Sequence, residues 1–149
     1  MSLAVVPCTP EYLAAVRMPV EIGISDTRQN VLGDPAAETF LRDYAWALLT
    51  PDPIAVVGIF PRWQAVGYAF AMLSEEAVLH HGLSVTRTTK AALRYAECQL
   101  GMRRIEAAVK VGEGAAIRWI EALGFGFEGV MRNFGPGGVG DFGLYARLS

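Results

Sequence analysis

The stretch AAIRWIEALGF, residues 115–125, decides how the second half of the chain is interpreted. It predicts a helix over Ala115–Leu123, followed directly by Gly124 and Phe125. A glycine just beyond the last helical residue takes the left-handed conformation that ends a helix, and the apolar residue after it packs back on the last turn. We therefore expect Gly124 to have a positive φ.

The residues around this helix predict a strand before it and a strand pair after it. Between Arg104 and Val111 the apolar residues alternate with polar ones, which is typical of a half-buried strand. Two further strands, Phe127–Phe134 and Asp141–Leu148, flank a glycine-rich loop. Because this loop leads into a strand and not into a helix, we interpret it as a hairpin loop and not as a phosphate loop.

The upstream half predicts a mixture of helices and strands, with residues 19–33 mostly loop. A long helix begins at Ser84 or Thr86 and ends near Leu100, and a short helix starts at Ser74, with Glu75 and Glu76 favoured by its dipole. The other expected elements are a strand over Leu3–Pro7, helices over Pro10–Met18 and Pro35–Leu49, and a hairpin of strands Ile54–Phe60 and Ala65–Leu73.

Composition indicates one folded α/β domain over residues 1–149. The chain is 52% hydrophobic and 19% charged, and its mean hydropathy of +0.30 favours a surface partly covered by another subunit, so a homo-oligomer is one expectation. No apolar run is long enough to span a bilayer, and no signal peptide is visible, so we expect a cytoplasmic location. A net charge of −2 argues against nucleic-acid binding.

The two cysteines, Cys8 and Cys98, lie far apart and have no metal-ligand spacing. Both are expected to be buried free thiols, because cysteine is among the residues most often buried. No metal site is expected. His80 and His81 are adjacent, so their side chains point in different directions, and no third ligand lies near them in the sequence.

The order of these elements and the Leu-Gly-Phe helix end resemble the GNAT N-acetyltransferase superfamily over residues 54–148. The resemblance implies a mixed β-sheet flanked by helices, with a V-shaped cleft near residues 70–76 and 104–111. It also implies acetyl-CoA as cofactor. In that family, backbone N–H groups of a glycine-containing loop and a helix N-terminus hold the pyrophosphate.

Three positions depart from the family pattern. The only place for the pyrophosphate loop is residues 80–88, HHGLSVTRT, which contain the single glycine Gly82. Glu113 stands where the family has an asparagine before the last helix. Ile120 stands where it has the tyrosine that protonates the leaving thiolate, and an aliphatic side chain has no proton to give.

The layout further resembles a degenerate branch of the superfamily, the GNAT-like internal virion or ejection proteins of short-tailed phages. The strand and polar segment over residues 67–76, leading to Thr86 and Lys90, carry this resemblance. It implies a protein in the host cytoplasm or the virion that contacts other virion or assembly proteins and needs no cofactor.

The alternative is a working N-acetyltransferase that uses acetyl-CoA on an unidentified amine and holds the thioester against a strand-edge amide. Arg87, Thr88 and Lys90, at the start of the long helix, would then hold phosphates, with Glu76 or His81 as the base. A simpler interpretation exists for each group. Arg87, Thr88 and Lys90 form a solvated, capped helix start, since polar residues often occupy helix ends. An acidic residue in the first turn of a helix often only stabilises the helix dipole.

Overall fold

The computed structural model describes residues 3–17, 20–22 and 36–149. Five helices are described: α1 (Pro10–Ala15), α2 (Ala37–Tyr44), α3 (Glu75–His80), α4 (Gly82–Cys98) and α5 (Gly114–Ala122). The strands are β1 (Ala4–Pro7), β2 (Val20–Ile22), β3 (Ala45–Leu49), β4 (Pro53–Trp63), β5 (Val66–Leu73), β6 (Arg104–Lys110), β7 (Gly126–Met131) and β8 (Phe142–Leu148).

All the described strands belong to one mixed sheet. Seven follow one another in the order β1-β3-β4-β5-β6-β8-β7, and β2 pairs with β5 outside this path. The pair β5–β6 is parallel, and the other described pairs are antiparallel. The mixed α/β class expected from the sequence is confirmed.

The sheet separates two apolar cores. One face packs on α4 and α5, with Leu93 and Ile120 in contact with the inward residues of the central strands. The other face packs on α1 and α2 through Leu13 and Leu41. Residues 54–60 of β4 are buried throughout, because β4 lies between two strands and beneath helices on both faces.

Several predicted elements are confirmed with small changes in their bounds. Strands β4 and β5 form the expected hairpin, and the side-chain oxygens of Thr9 and Ser74 cap α1 and α3. A 3-10 turn over Pro136–Gly138 lies in the glycine-rich loop between the paired strands β7 and β8, so the hairpin interpretation of that loop is confirmed. The expected helix over Pro10–Met18 is shorter and ends at Ala15.

The prediction of one helix over Pro35–Leu49 is wrong in its second half. Helix α2 ends at Tyr44, and residues 45–49 form β3, which pairs with β1 on one side and β4 on the other. Ala47 and Leu48 are fully buried on opposite faces of the sheet. Partners on both edges and burial on both faces outweigh the helical spacing of the apolar residues.

Residues 19–33 were expected to be mostly loop, but Val20–Ile22 form β2. Residues 19 and 23–33 lie outside the described part of the chain. Cys98 is exposed, which corrects the expectation that both thiols are buried, whereas Cys8 is buried. Cys98 is the last residue of α4 and lies outside its inward stripe.

Gly124 ends α5 as the sequence predicts. Its φ is +93°, and the N–H of Phe125 donates to the carbonyl of Ile120 at 3.2 Å. Arg147 braces this helix end from β8: its guanidinium donates to the carbonyl of Leu123 at 2.5 Å and to the carboxylate of Glu97 at 3.0 Å. An added Cβ at Gly124 would lie 3.2 Å from Nη1 of Arg147.

Gly124→Ala should lower the free energy of unfolding by about 1 kcal/mol or more, because an L-residue is strained at this φ. Urea denaturation followed by circular dichroism measures the change. Gly126→Ala is the matched control, since a Cβ there meets nothing within 4 Å and the φ is not positive. Equal stability of the two variants would contradict the assigned helix end.

In the native protein at about pH 8, Ellman's reagent should titrate one thiol per chain, Cys98. Burial raises the pKa of Cys8 to about 12, so that thiol is both inaccessible and protonated. Cys98→Ser should remove the reaction and Cys8→Ser should leave it unchanged. Two fast-reacting thiols in the folded protein would show that Cys8 is accessible.

Candidate functional site

The strands β5 and β6 part from each other soon after they begin. They pair only between residues 66–68 of β5 and 104–106 of β6. Beyond Glu106, β6 continues alongside β8, and the last part of β5 pairs instead with β2, Val20 opposite Leu73 and Ile22 opposite Ala71. The cleft expected near residues 70–76 and 104–111 is therefore where the strands diverge, and β2 lies along its β5 wall.

A cavity of about 280 Å³ lies at the end of β5, between the first turns of α4 and α5. Leu73 closes one side, Gly82 and Thr86 come from α4, and Ala116 and Trp119 come from α5. Two helix N-termini thus reach the same cavity. The N–H groups in the first turn of a helix have no intrahelical partner, and they favour anionic groups.

The polar side chains of this cavity are bonded to one another. Indole Nε1–H of Trp119 donates to Oγ1 of Thr86 at 2.9 Å, and the hydroxyl of Thr86 donates to the carbonyl of Gly82 at 2.8 Å. The first bond joins α5 to α4 across the cavity. A ligand that needed either side chain would have to break this chain of hydrogen bonds.

Helix α3 occupies the segment between β5 and the long helix. The hydroxyl of Ser74 accepts from the N–H of Ala77 at 3.2 Å, and only His81 separates the end of α3 from Gly82. Leu79 and Leu83, on either side of this junction, are 66% and 65% exposed. Gly82 itself has open space around it, since an added Cβ would meet nothing within 4 Å.

The residues at the two other positions that depart from the family pattern do not line the cavity. Ile120 is 2% exposed and belongs to the core between α5 and the sheet. Glu113 is exposed at the start of α5, and its side chain makes no capping hydrogen bond. Neither residue is in a position to supply a proton or an amide to the cavity.

The two candidate bases are close to each other. Nε2 of His81 lies 3.9 Å from Oε1 of Glu76, and the His81 side chain is largely buried, whereas His80 is exposed. Glu76 faces a separate groove of about 710 Å³ that also contains Asp52 and Glu75. The structure therefore brings Glu76 and His81 together but does not place Glu76 on the 280 Å³ cavity.

The three candidate phosphate ligands do not converge. Arg87 and Lys90 are exposed on α4. Thr88 lies on another side of α4, in a groove of about 640 Å³ with Trp46 and Tyr95. Thr86, two residues earlier, is the hydroxyl of this helix that reaches the cavity. The sequence analysis did not single out its bond to Trp119.

The described residues contain neither a cluster of metal ligands nor a membrane-spanning helix. No group of three or more His, Cys, Asp or Glu side chains lies close enough together there to hold a metal ion. No helix within residues 3–17 and 36–149 is long and apolar enough to cross a membrane.

Comparison with solved structures gives whole-chain matches to acetyltransferases. A chimera of the Vibrio cholerae spermidine N-acetyltransferase SpeG with hSSAT matches with a TM-score of 0.72 and 15% identity, over 99% of this chain and 96% of that one. A GNAT-family acetyltransferase from Streptococcus pneumoniae matches with a TM-score of 0.70 and 16% identity, over 99% of both chains.

The ribosomal-protein-S5-alanine acetyltransferase from Vibrio fischeri has a TM-score of 0.68 and 14% identity, over 99% of this chain and 93% of that one. No protein-family profile and no curated protein sequence matches the chain. At such low identity the shared geometry defines the fold and not the activity. The order of strands, the divergence of β5 from β6 and the helices beside them together show that the chain has the GNAT acetyltransferase fold.

Proposed function

We propose that the chain is a GNAT-fold protein with a degenerate acetyl-CoA site, encoded by a phage, which acts through contacts with other proteins in virion assembly or DNA ejection. The degenerate acetyl-CoA site is supported by one observation: segments of the chain itself occupy the cleft and the cavity beside it. The bond from Trp119 to Thr86 crosses the 280 Å³ cavity at the end of β5, and β2 lies along the β5 wall of the cleft.

The residues at the cavity do not fit the coenzyme. The pyrophosphate needs several convergent backbone N–H groups that small residues leave accessible. Here α3 fills the loop segment, and Leu79 and Leu83 present apolar surface beside Gly82. Arg87 and Lys90 are exposed, and exposed charges contribute only about 0–1 kcal/mol each to an ion pair.

The residue aligned with the family's proton donor also supports a degenerate site. Ile120 is aliphatic and buried in the core, so it cannot protonate a leaving thiolate. Glu76 lies on the neighbouring groove and not on the cavity that would hold the thioester, and His81 is its partner at 3.9 Å. No catalytic step follows from this arrangement.

Contact with other proteins is supported by exposed apolar side chains at the junction of α3 and α4. Val78, Leu79 and Leu83 are 46%, 66% and 65% exposed and lie within six positions of the chain, where α3 ends and α4 begins. Grouped apolar residues on a surface are typical of protein interaction sites. The resemblance of residues 67–90 to internal virion or ejection proteins supports the choice of virion partners.

The second candidate is an active N-acetyltransferase on an unidentified amine. One observation favours it: the N-termini of α4 and α5 both face the 280 Å³ cavity, and Gly82 leaves the backbone accessible there. The solved structures of this fold that are named as acetyltransferases agree with that function. In this chain Trp119, β2 and α3 would have to move first.

Titration of acetyl-CoA into the protein by calorimetry should give no saturable heat at about 100 μM and physiological salt. That affinity corresponds to about 5.5 kcal/mol, which a few exposed charges do not supply. Repeating the titration at low salt separates weak ionic attraction from a shaped site, since only the former grows strongly as salt falls. Saturable binding in the low micromolar range would move the acetyltransferase candidate into first place.

The virion role has its own test. Particles purified from cells infected with the encoding phage should contain the chain in a fixed copy number, measured by quantitative mass spectrometry. Leu79→Ser with Leu83→Ser should reduce that number, and Val139→Ser, at a residue 73% exposed in the β7–β8 loop, is the matched control. Particles without the chain would rule out a virion component.

A further inference from the structure

The cavity at the end of β5 offers almost no polar group to a ligand. Of the nine residues that line it in the described part of the chain, only Thr86 and Trp119 carry a polar group on the side chain. These two side chains are bonded to each other, and the hydroxyl of Thr86 also donates to the carbonyl of Gly82. A group that enters without breaking these bonds must be apolar, because a buried polar atom without a partner is costly.

The size of the cavity suits a side chain better than a whole ligand. Its volume is about 280 Å³. Small-molecule pockets usually measure about 300–1,000 Å³, so this cavity lies below their range. Small residues, among them Ala77, Gly82 and Ala116, line the space. In protein interfaces, bulky apolar side chains fill small pockets and contribute much of the binding energy.

Apolar surface extends from the cavity to the outside of the protein. Val78 lines the cavity and is itself 46% exposed. Leu79 and Leu83 directly follow the lining residues Val78 and Gly82 in the chain, and both are largely exposed. A small molecule in the cavity would leave these leucines in water, whereas a segment of a partner protein covers them as well.

Two cationic side chains lie beside lining residues, one on each helix. Lys90 is exposed and follows Thr86 by four positions, so the two share a side of α4. Arg118 lies over the first turn of α5, since a Cβ added at Gly114 would lie 3.2 Å from its Nη1. Glu113, directly before Gly114, is the acidic residue at this helix start. Carboxylates on a partner would therefore meet charge of opposite sign on both helices, which favours and orients association.

The walls of the cavity are built mainly from helices. Eight of its nine described lining residues belong to α3, α4 and α5, and Leu73 belongs to β5. A partner at this site therefore meets helix surfaces. Another helix packs on such surfaces by placing its ridges of side chains into their grooves.

We propose that the 280 Å³ cavity receives a bulky apolar side chain, leucine, methionine or phenylalanine, from an acidic amphipathic helix of a partner protein. Apolar residues three or four positions further along that helix cover Leu79 and Leu83, and its carboxylates face Lys90 and Arg118. The inference rests on the proposed function, because it names the chemistry of the virion or assembly partner that contacts this surface.

A synthetic stapled helix tests this chemistry directly. The probe carries leucines at positions i, i+4 and i+7 with glutamates beside them, and two matched peptides replace the leucines by alanine or the glutamates by lysine. The first peptide should shift the amide NMR signals of residues 77–86 and 115–119, and the alanine peptide should not. The lysine peptide should bind at least about tenfold more weakly at low salt, and less so as salt rises. No shift with the first peptide, or equal shifts with the alanine peptide, would overturn the proposal.

Ala116→Leu fills the cavity from within. It should weaken binding of the leucine–glutamate peptide at least about tenfold, because the new side chain occupies the space of the anchor. Ala91→Leu is the matched control, since Ala91 is an exposed alanine of α4 that does not line the cavity. Thermal unfolding checks that both variants fold, and Ala115→Leu takes the place of Ala116→Leu if that variant does not. Unchanged binding to a folded, filled variant would show that the cavity is not the anchor site.

Incorporation into particles separates failure of this inference from failure of the proposed function. In particles that contain the chain, Ala116→Leu should lower its copy number, and Ala91→Leu should not. A wild-type copy number for Ala116→Leu would overturn this inference and leave the virion role standing. Particles without the chain would remove the virion role, and the peptide titration would still decide whether the cavity accepts an acidic helix.

Discussion

The divergence of β5 from β6 is the constraint on which the arrangement of this cleft depends. After three paired residues the two strands separate, and a buried edge of β5 is left beside a gap. Buried backbone groups are almost always paired, so the groups on this edge need partners. In this chain the element that pairs with them is its own β2, and the same separation leaves room for the first turns of α4 and α5 to meet over one cavity.

Two polar side chains that line the cavity at the end of β5 bond to each other across it. Thr86 and Trp119 are positioned by two different helices, and their mutual hydrogen bond joins those helices across the space between them. Arg147 also joins the two helices, at the other end of α5. Its guanidinium donates hydrogen bonds to the carbonyl of Leu123 and to the carboxylate of Glu97 on α4. Both contacts stabilise the packing of α5 on α4.

Local signals in the sequence predicted the elements whose conformation depends on near neighbours. The cap at Ser74 needs only a hydroxyl near the N–H of Ala77, and the end of α5 needs only a glycine that tolerates a φ of +93°. The predicted helix over residues 35–49 was wrong over residues 45–49, because the apolar spacing that suits a helix also suits a strand buried on both faces. The chain changes from helix to strand at Ala45 because β1 and β4 provide hydrogen-bonding partners for residues 45–49.

The sequence by itself determined the order of helices and strands from residue 53 onward, the GNAT-like end of α5 and the departures at Glu113 and Ile120. These depend on residue type and on contacts within a few positions of the chain. Only the tertiary structure decided that Val20–Ile22 would pair with β5, that Thr86 and not Thr88 would reach the cavity, and that Trp119 would bond across it. Those contacts join residues 33 or more positions apart, and no pattern along the chain specifies which distant backbone edge or hydroxyl will be in reach.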